Sequence, residues 1–142
     1  MVKYYLLLIT ATGLIASLNS CSQKSRDELI VRKWMYASTE NLDKLRSVAR
    51  SQGDSTFMDQ IEHDLKTLTW QFNKDKTYEK RNIDKVTSTG TYEISGDGKK
   101  LITTSRSSSS VNTYLIYKLS SDSLVAASTG DSIPLIIHMK AR

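Results

Sequence analysis

The chain has 142 residues, with 20 Lys and Arg against 15 Asp and Glu, one cysteine and one proline. That length makes one domain the expectation rather than two independent cores, and one cysteine supplies neither an internal disulfide nor a cysteine-based metal cage. The apolar residues are unevenly spread: residues 1–20 hold 13 of the 55, the remaining 122 are about one-third apolar, and Ser and Thr together number 34.

Met1-Val2-Lys3 is a short positive start. An apolar run over residues 4–16 follows, and then Ser17-Leu18-Asn19-Ser20-Cys21, the three-part layout of a secretory signal. A membrane-spanning helix needs about 20 apolar residues, and this run is broken by Thr10, Thr12 and Gly13. Leu18 stands three residues before Cys21 with small Ser20 between them, which resembles the lipobox of bacterial lipoproteins. The resemblance implies that residues 1–20 are removed as a signal peptide and that a diacylglycerol is attached to the sulfur of Cys21. The protein is then lipid-anchored in the cell envelope, in the outer membrane facing the periplasm or the cell surface. Sulfur suits the reaction because the thiolate is the strongest side-chain nucleophile, and two or three acyl chains hold where one would not. An ordinary signal peptide with a chance cysteine is the alternative. Residues 21–28 are polar and mixed in charge after Cys21, and read as a tether to a domain over 29–142.

The body reads as mainly β. Residues 29–37 form a first strand. From residue 67 onward, alternating segments are broken by turn chemistry every eight to twelve positions, which points to an antiparallel sandwich or barrel. Strands are expected from residue 67 to Phe72, over 77–82, 90–95, 100–105, 111–119 and 124–129, and from Pro134 to the end. Within them Leu68, Trp70 and Phe72 share one face, and Leu115 and Tyr117 are placed together on one face of the sixth strand. Eight strands in up-and-down order expose two edges unless they close on themselves, and eight is a number that closes comfortably. Between the first and second strands the period changes. Leu42, Leu45, Val48 and Ala49 recur at helical spacing, Gly53 is a stop, and Phe57, Met58, Ile61 and Leu65 repeat the pattern. This helical insert, about residues 40–66, is far longer than an ordinary hairpin connection. Phe57, Met58, Ile61 and Leu65 are its candidate plug or lid residues.

The arrangement resembles the lipocalin-like domain of small Bacteroidetes-type bacterial lipoproteins. The resemblance rests on Leu29-Ile30-Val31-Arg32-Lys33-Trp34, on Trp70-Gln71-Phe72 with the turn into Thr77-Tyr78, on Gly90-Thr91-Tyr92, and on the turn from Leu119 to Leu124. Arg32 stands where the family prefers Gly, and Lys76 replaces the usual turn Gly. The resemblance implies an eight-stranded up-and-down, lipocalin-like barrel lined by Trp34, Leu68, Trp70, Phe72, Tyr78, Tyr92, Leu115 and Tyr117. It also implies a basic residue from the last strand, Lys140 or Arg142, over Trp34 at the closed end; a solvated C-terminal charge is the other reading.

No catalytic constellation is legible, so no enzyme is expected, and no cofactor. His63 and His138 fall in different elements with no third ligand fixed beside either, so no metal site is expected. Asp59 and Glu62 read as a solvated helix face, and the serine run over 107–110 has no nearby base. Basic residues are scattered without interleaved aromatics, which speaks against nucleic acid as a partner. Ser55, Ser123 and Ser132, each after an aspartate and before Thr, Leu or Ile, match the Asp-Ser/Thr-apolar pattern of O-glycosylation in exported Bacteroidetes-type proteins, although Asp-Ser is also good turn chemistry. Two functions stand side by side. One is a membrane-anchored barrel that binds a small hydrophobic or amphipathic molecule. The other is a structural or interaction lipoprotein with a filled core and protein or glycan partners.

Overall fold

The computed structural model describes residues 25–142 apart from residues 54 and 84. Its first element is a helix where the sequence reads as a tether: α1 (Arg26–Ile30). The cause is a capping box. Ser25 Oγ accepts from the Glu28 backbone N–H at 3.2 Å, and Glu28 Oε2 accepts from the Ser25 N–H at 3.2 Å, so two end donors of a one-turn helix are satisfied reciprocally. The helix takes up residues expected in the tether and the first strand, and the strand is displaced towards the C-terminus, to β1 (Lys33–Glu40) rather than 29–37.

After β1 comes the helical insert, α2 (Leu42–Ser51) and α3 (Ser55–Lys66). The chain turns into α2 through Asn41 at φ 67, a left-handed position that asparagine tolerates better than most residues. The remaining strands are β2 (Leu68–Phe72), β3 (Thr77–Asn82), β4 (Lys85–Ile94), β5 (Lys100–Ser105), β6 (Val111–Leu119), β7 (Ser123–Ser128) and β8 (Ile136–Ala141). Every neighbour in sequence is a neighbour in the sheet, and β8 pairs back onto β1 with Trp34 opposite Ala141 and Tyr36 opposite Met139. The result is the closed eight-stranded antiparallel barrel with a helical insert between strands 1 and 2 that the patterning predicts. Closure leaves no unpaired edge.

One close approach depends on glycine. A Cβ on Gly90 of β4 would lie 1.9 Å from the Thr104 carbonyl oxygen and 3.0 Å from the Tyr78 ring. Tyr78 stands opposite Gly90 in the ladder and fills that gap. The core is one cluster that includes Ile30, Trp34, Phe72, Leu101, Leu124 and Met139, each at most 3% exposed.

Three bulges reset the alternation, in β1 between Tyr36 and Ser38, in β3–β4 at Lys80/Arg81, and in β6 between Ile116 and Lys118. The third corrects part of the expected lining. Ile116 is 8% exposed while Tyr117, the extra residue, is 59% exposed, and the shift lets Tyr114 and Ile116 before it share the inner face with Leu119 after it. Leu115 alternates with inward Tyr114 and Ile116, and so points to the outer face as well.

Candidate functional site

The barrel has two unlike ends. At one end, α1 closes the floor: the Trp34 indole Nε1 donates to the Ile30 carbonyl at 3.0 Å, and both residues are fully buried. The Arg32 guanidinium lies over the Trp34 ring at 5.5 Å and donates through Nη1 to the Ser121 carbonyl. The cation over Trp34 thus comes from β1's own approach, two residues before the ring, and not from Lys140 or Arg142. Lys140 stands opposite Met35 and is exposed, because the register of β8 turns it outward. The Arg142 backbone N–H donates to the Lys33 carbonyl at 3.0 Å.

Above this floor stands an aromatic ladder. Trp70 meets Phe72 edge-on at 5.5 Å, and Phe72 meets Tyr92 at 4.9 Å and Tyr78 at 6.4 Å. The two edge-to-face contacts, Trp70–Phe72 and Phe72–Tyr92, add about 0.5–1.5 kcal/mol each beyond their burial, and Phe72–Tyr78 is tilted. The Tyr92 hydroxyl donates to the Asn73 carbonyl at 2.9 Å; desolvation first, then Asp27 and Asp75, push its phenol up to about 12. Six of the eight expected lining residues therefore belong to the interior: Trp34, Trp70, Phe72, Tyr78 and Tyr92 are at most 4% exposed, and Leu68 packs partly buried against them. Leu115 and Tyr117 do not.

The interior becomes polar towards the other end, where the β3–β4, β5–β6 and β7–β8 connections and the helical insert lie. Its centre is Lys80, which no reading of charge would place inside. The signal was alternation: Tyr78 faces inward, so Lys80 two residues later does too. Lys80 Nζ donates to the Tyr114 hydroxyl at 2.8 Å, and sits 4.2 Å from the Trp70 ring centroid and 5.0 Å from that of Tyr114. No carboxylate pairs with it among the described residues. Desolvation alone lowers its pKa to about 8. Tyr114 meets Trp70 edge-on at 5.0 Å, and desolvation is the first cause that pushes its phenol up to about 12, followed by Tyr78, with Asp131 a minor contributor. The fully buried Thr103 hydroxyl lies beside this phenol without reaching strict hydrogen-bond geometry, and Trp70 Nε1 is buried without an acceptor. Tyr78 and Ser88 share a hydroxyl–hydroxyl bond of 2.9 Å.

Of the insert residues, Met58 is 2% exposed and Leu65 8%, Ile61 is partly buried, and Phe57 is 55% exposed. Phe57 is therefore no plug: it stands one residue before inward-facing Met58 on α3, outside the helix's buried stripe. Ala49, Met58 and Leu65 lie outside the barrel's core cluster. Arg46 ties the two helices together through Asp43 at 2.8 Å on its own helix and Glu62 on α3, and Asn41 Nδ2 donates to the Pro134 carbonyl at 3.0 Å. Between α3 and the β3–β4 hairpin runs an open groove of about 640 Å³, lined by Gln60, His63, Asp64, Asn82, Ile83, Lys85 and Thr87.

The two histidines remain apart. His63 lines the groove, and His138 Nε2 is 2.7 Å from Glu40 Oε1 on the outer face. Among the described residues no group of three or more His, Cys, Asp or Glu is arranged to hold a metal ion, and no helix is long and apolar enough to cross a membrane. In the serine run, Ser108 and Ser110 bond to each other at 2.7 Å. Ser123 opens β7 with its N–H donating to Ser120 Oγ at 3.2 Å, and Ser132 is exposed before β8. Ser55 opens α3. Residues 1–24, and with them Cys21, lie outside the described residues.

Fold and interior define a class of protein: a closed up-and-down β-barrel with a sealed aromatic end and a polar end beside a two-helix insert. No family model matches the chain, and no curated protein matches it. Among solved structures it is similar to the crystal structure of a DUF4847 family protein from Bacteroides vulgatus ATCC 8482, with 12% identity, a TM-score of 0.49, and coverage of 80% of this chain and 94% of that one.

Proposed function

We propose that this protein is a lipid-anchored envelope lipoprotein whose lipocalin-like barrel binds a small hydrophobic or amphipathic molecule in its insert-side half, without catalysing a reaction. The observation that carries the reading is the asymmetry of the interior. A barrel serving only as a solid core has no reason to change from a packed aromatic ladder at one end to a desolvated lysine beside the unpartnered Trp70 Nε1 and Thr103 Oγ1 at the other; the third unpartnered buried polar atom, Arg32 Nε, lies at the floor. The insert supports the same reading, since its buried Ala49, Met58 and Leu65 lie outside the barrel's core cluster. The anchor rests on the Leu18 to Cys21 pattern.

Two experiments test it. The protein extracted from its native membrane is denatured and its small molecules are identified by mass spectrometry. A stoichiometric hydrophobic or amphipathic compound is expected, and its absence, together with no uptake of added amphiphiles, overturns ligand binding. For the anchor, Cys21→Ser is expected to move the protein from the detergent phase to the aqueous phase; retention in detergent overturns lipidation.

A further inference from the structure

Lys80 is a largely desolvated cation that the fold leaves without a counter-charge among the described residues. An ammonium carries three donors, and among the described residues Lys80 uses one, on the Tyr114 hydroxyl. Around it are the Tyr114 phenol, whose own proton remains to donate, the orphaned indole N–H of Trp70 and the unsatisfied hydroxyl of Thr103. These groups come from β2, β3, β5 and β6, which with β4 between them span five consecutive strands of the barrel. The set is rich in donors, poor in acceptors and positively charged, and its walls are aromatic. A buried cation without a partner is strongly unfavourable, whereas a charge-assisted hydrogen bond in such surroundings is among the strong ones.

We propose that this cluster receives the anionic head group of an amphipathic ligand, with Lys80 as counter-charge and Tyr114, Trp70 and Thr103 as flanking hydrogen-bond partners; this rests on, and narrows, the ligand-binding reading above. Water or a neutral alcohol would meet the hydrogen bonds but leave the charge uncompensated. A cationic amphiphile would be repelled. The sealed, aromatic-filled half below leaves no room for a long tail, so the apolar chain runs towards the insert side. A carboxylate and a phosphate monoester share the required chemistry, namely oxygen acceptors bearing negative charge.

The test titrates the full chain carrying Cys21→Ser with octanoate, octyl phosphate, octanol and octyltrimethylammonium, and reads Trp fluorescence together with isothermal calorimetry. The anions are expected to bind about tenfold or more tighter than octanol, and the cation not to bind. Lys80→Met should bring the anions down to the octanol level while octanol binding persists. Whichever anion binds more tightly identifies the head group as carboxylate or phosphate. Equal binding of octanoate and octanol, or an anion preference that survives Lys80→Met, overturns the head-group site while leaving the ligand-binding function standing. Saturation by acetate or inorganic phosphate at the same concentrations as the octyl compounds also overturns it, since the site would then take a free small anion. Failure of every amphiphile removes both proposals.

Discussion

Replacing Lys80 by Met should make the unliganded protein's stability less dependent on pH, and linkage fixes both sign and size. Desolvation lowers the Lys80 pKa from its ordinary 10.5 to about 8. Below pH 8 the amine is charged in both the folded and unfolded chains, so the folded state bears the full desolvation penalty. Between about 8 and 10.5 the unfolded chain binds the extra proton, so stability rises with pH across that window and levels off above it. At about 1.36 kcal/mol per pH unit the rise is on the order of 3 kcal/mol. The absolute effect at pH 7 is smaller. Methionine keeps much of the apolar stem, but loses the contact with the Trp70 face, about 1–2 kcal/mol for a desolvated cation, and the bond to Tyr114, about 1 kcal/mol or more. Lys80→Met is therefore expected to be about 1 kcal/mol more stable than the unsubstituted protein at pH 7 and about 1–2 kcal/mol less stable at pH 10. Urea unfolding of both chains at the two pH values measures this, and the other titrating groups, common to both, cancel in the difference. A difference that stays flat from pH 7 to 10 would refute the reasoning, because Lys80 would then titrate as it does in the unfolded chain.

Gly90→Ala should lower stability by about 3 kcal/mol, seen as a thermal midpoint lower by roughly 10 °C, since its Cβ has the Thr104 carbonyl oxygen 1.9 Å away. At the β6 bulge, Tyr117→Ser is expected to change stability by no more than about 0.5 kcal/mol, whereas Ile116→Ala should remove about 2–4 kcal/mol; comparable losses at the two positions in urea melts would mean that Tyr117 is inside after all. Trp34→Phe removes the indole donor to the Ile30 carbonyl and should cost about 1–2 kcal/mol, with faster amide hydrogen exchange across α1 than across β4 and β5. Unchanged exchange in α1 would separate the floor of the barrel from that bond.

Most of the architecture was legible because strand patterning and turn chemistry agreed. Thr77–Asn82, Lys100–Ser105 and Val111–Leu119 are bounded by turns at both ends, and their limits follow from sequence. β1 was misplaced because Leu29, Ile30 and Val31 look like strand residues, while Ser25 and Glu28 close a capping box whose local hydrogen bonds prevail. Inward and outward faces were legible in β2, where apolar and polar residues alternate cleanly. They were not legible in β6, where Tyr114, Leu115, Ile116 and Tyr117 offer two equivalent apolar faces and a bulge changes the sense halfway. The anchor residue is a different case: Cys21 is legible in the sequence and falls outside the described structure.

The candidate site was the least legible part for a physical reason. Composition and periodicity select for what stabilises a barrel, and they found the aromatic ladder of Trp70, Phe72, Tyr78 and Tyr92. A ligand-facing group is an exception to that rule: Lys80 occupies an inward position at which an aliphatic residue would serve stability better. Only position reveals it, through inward-facing Tyr78 two residues earlier. Ordinary alternation turns Arg81 outward to Glu79 while Lys80 stays within; the irregularity lies on the facing strand β4, where Ser88 pairs with Lys80, Val86 with Arg81, and Thr87 is the extra residue. The irregularity thus stands across the ladder from Lys80, and bulges recur beside functional side chains. Conflict between local stability and position is what a binding site, and not a filled core, is expected to display.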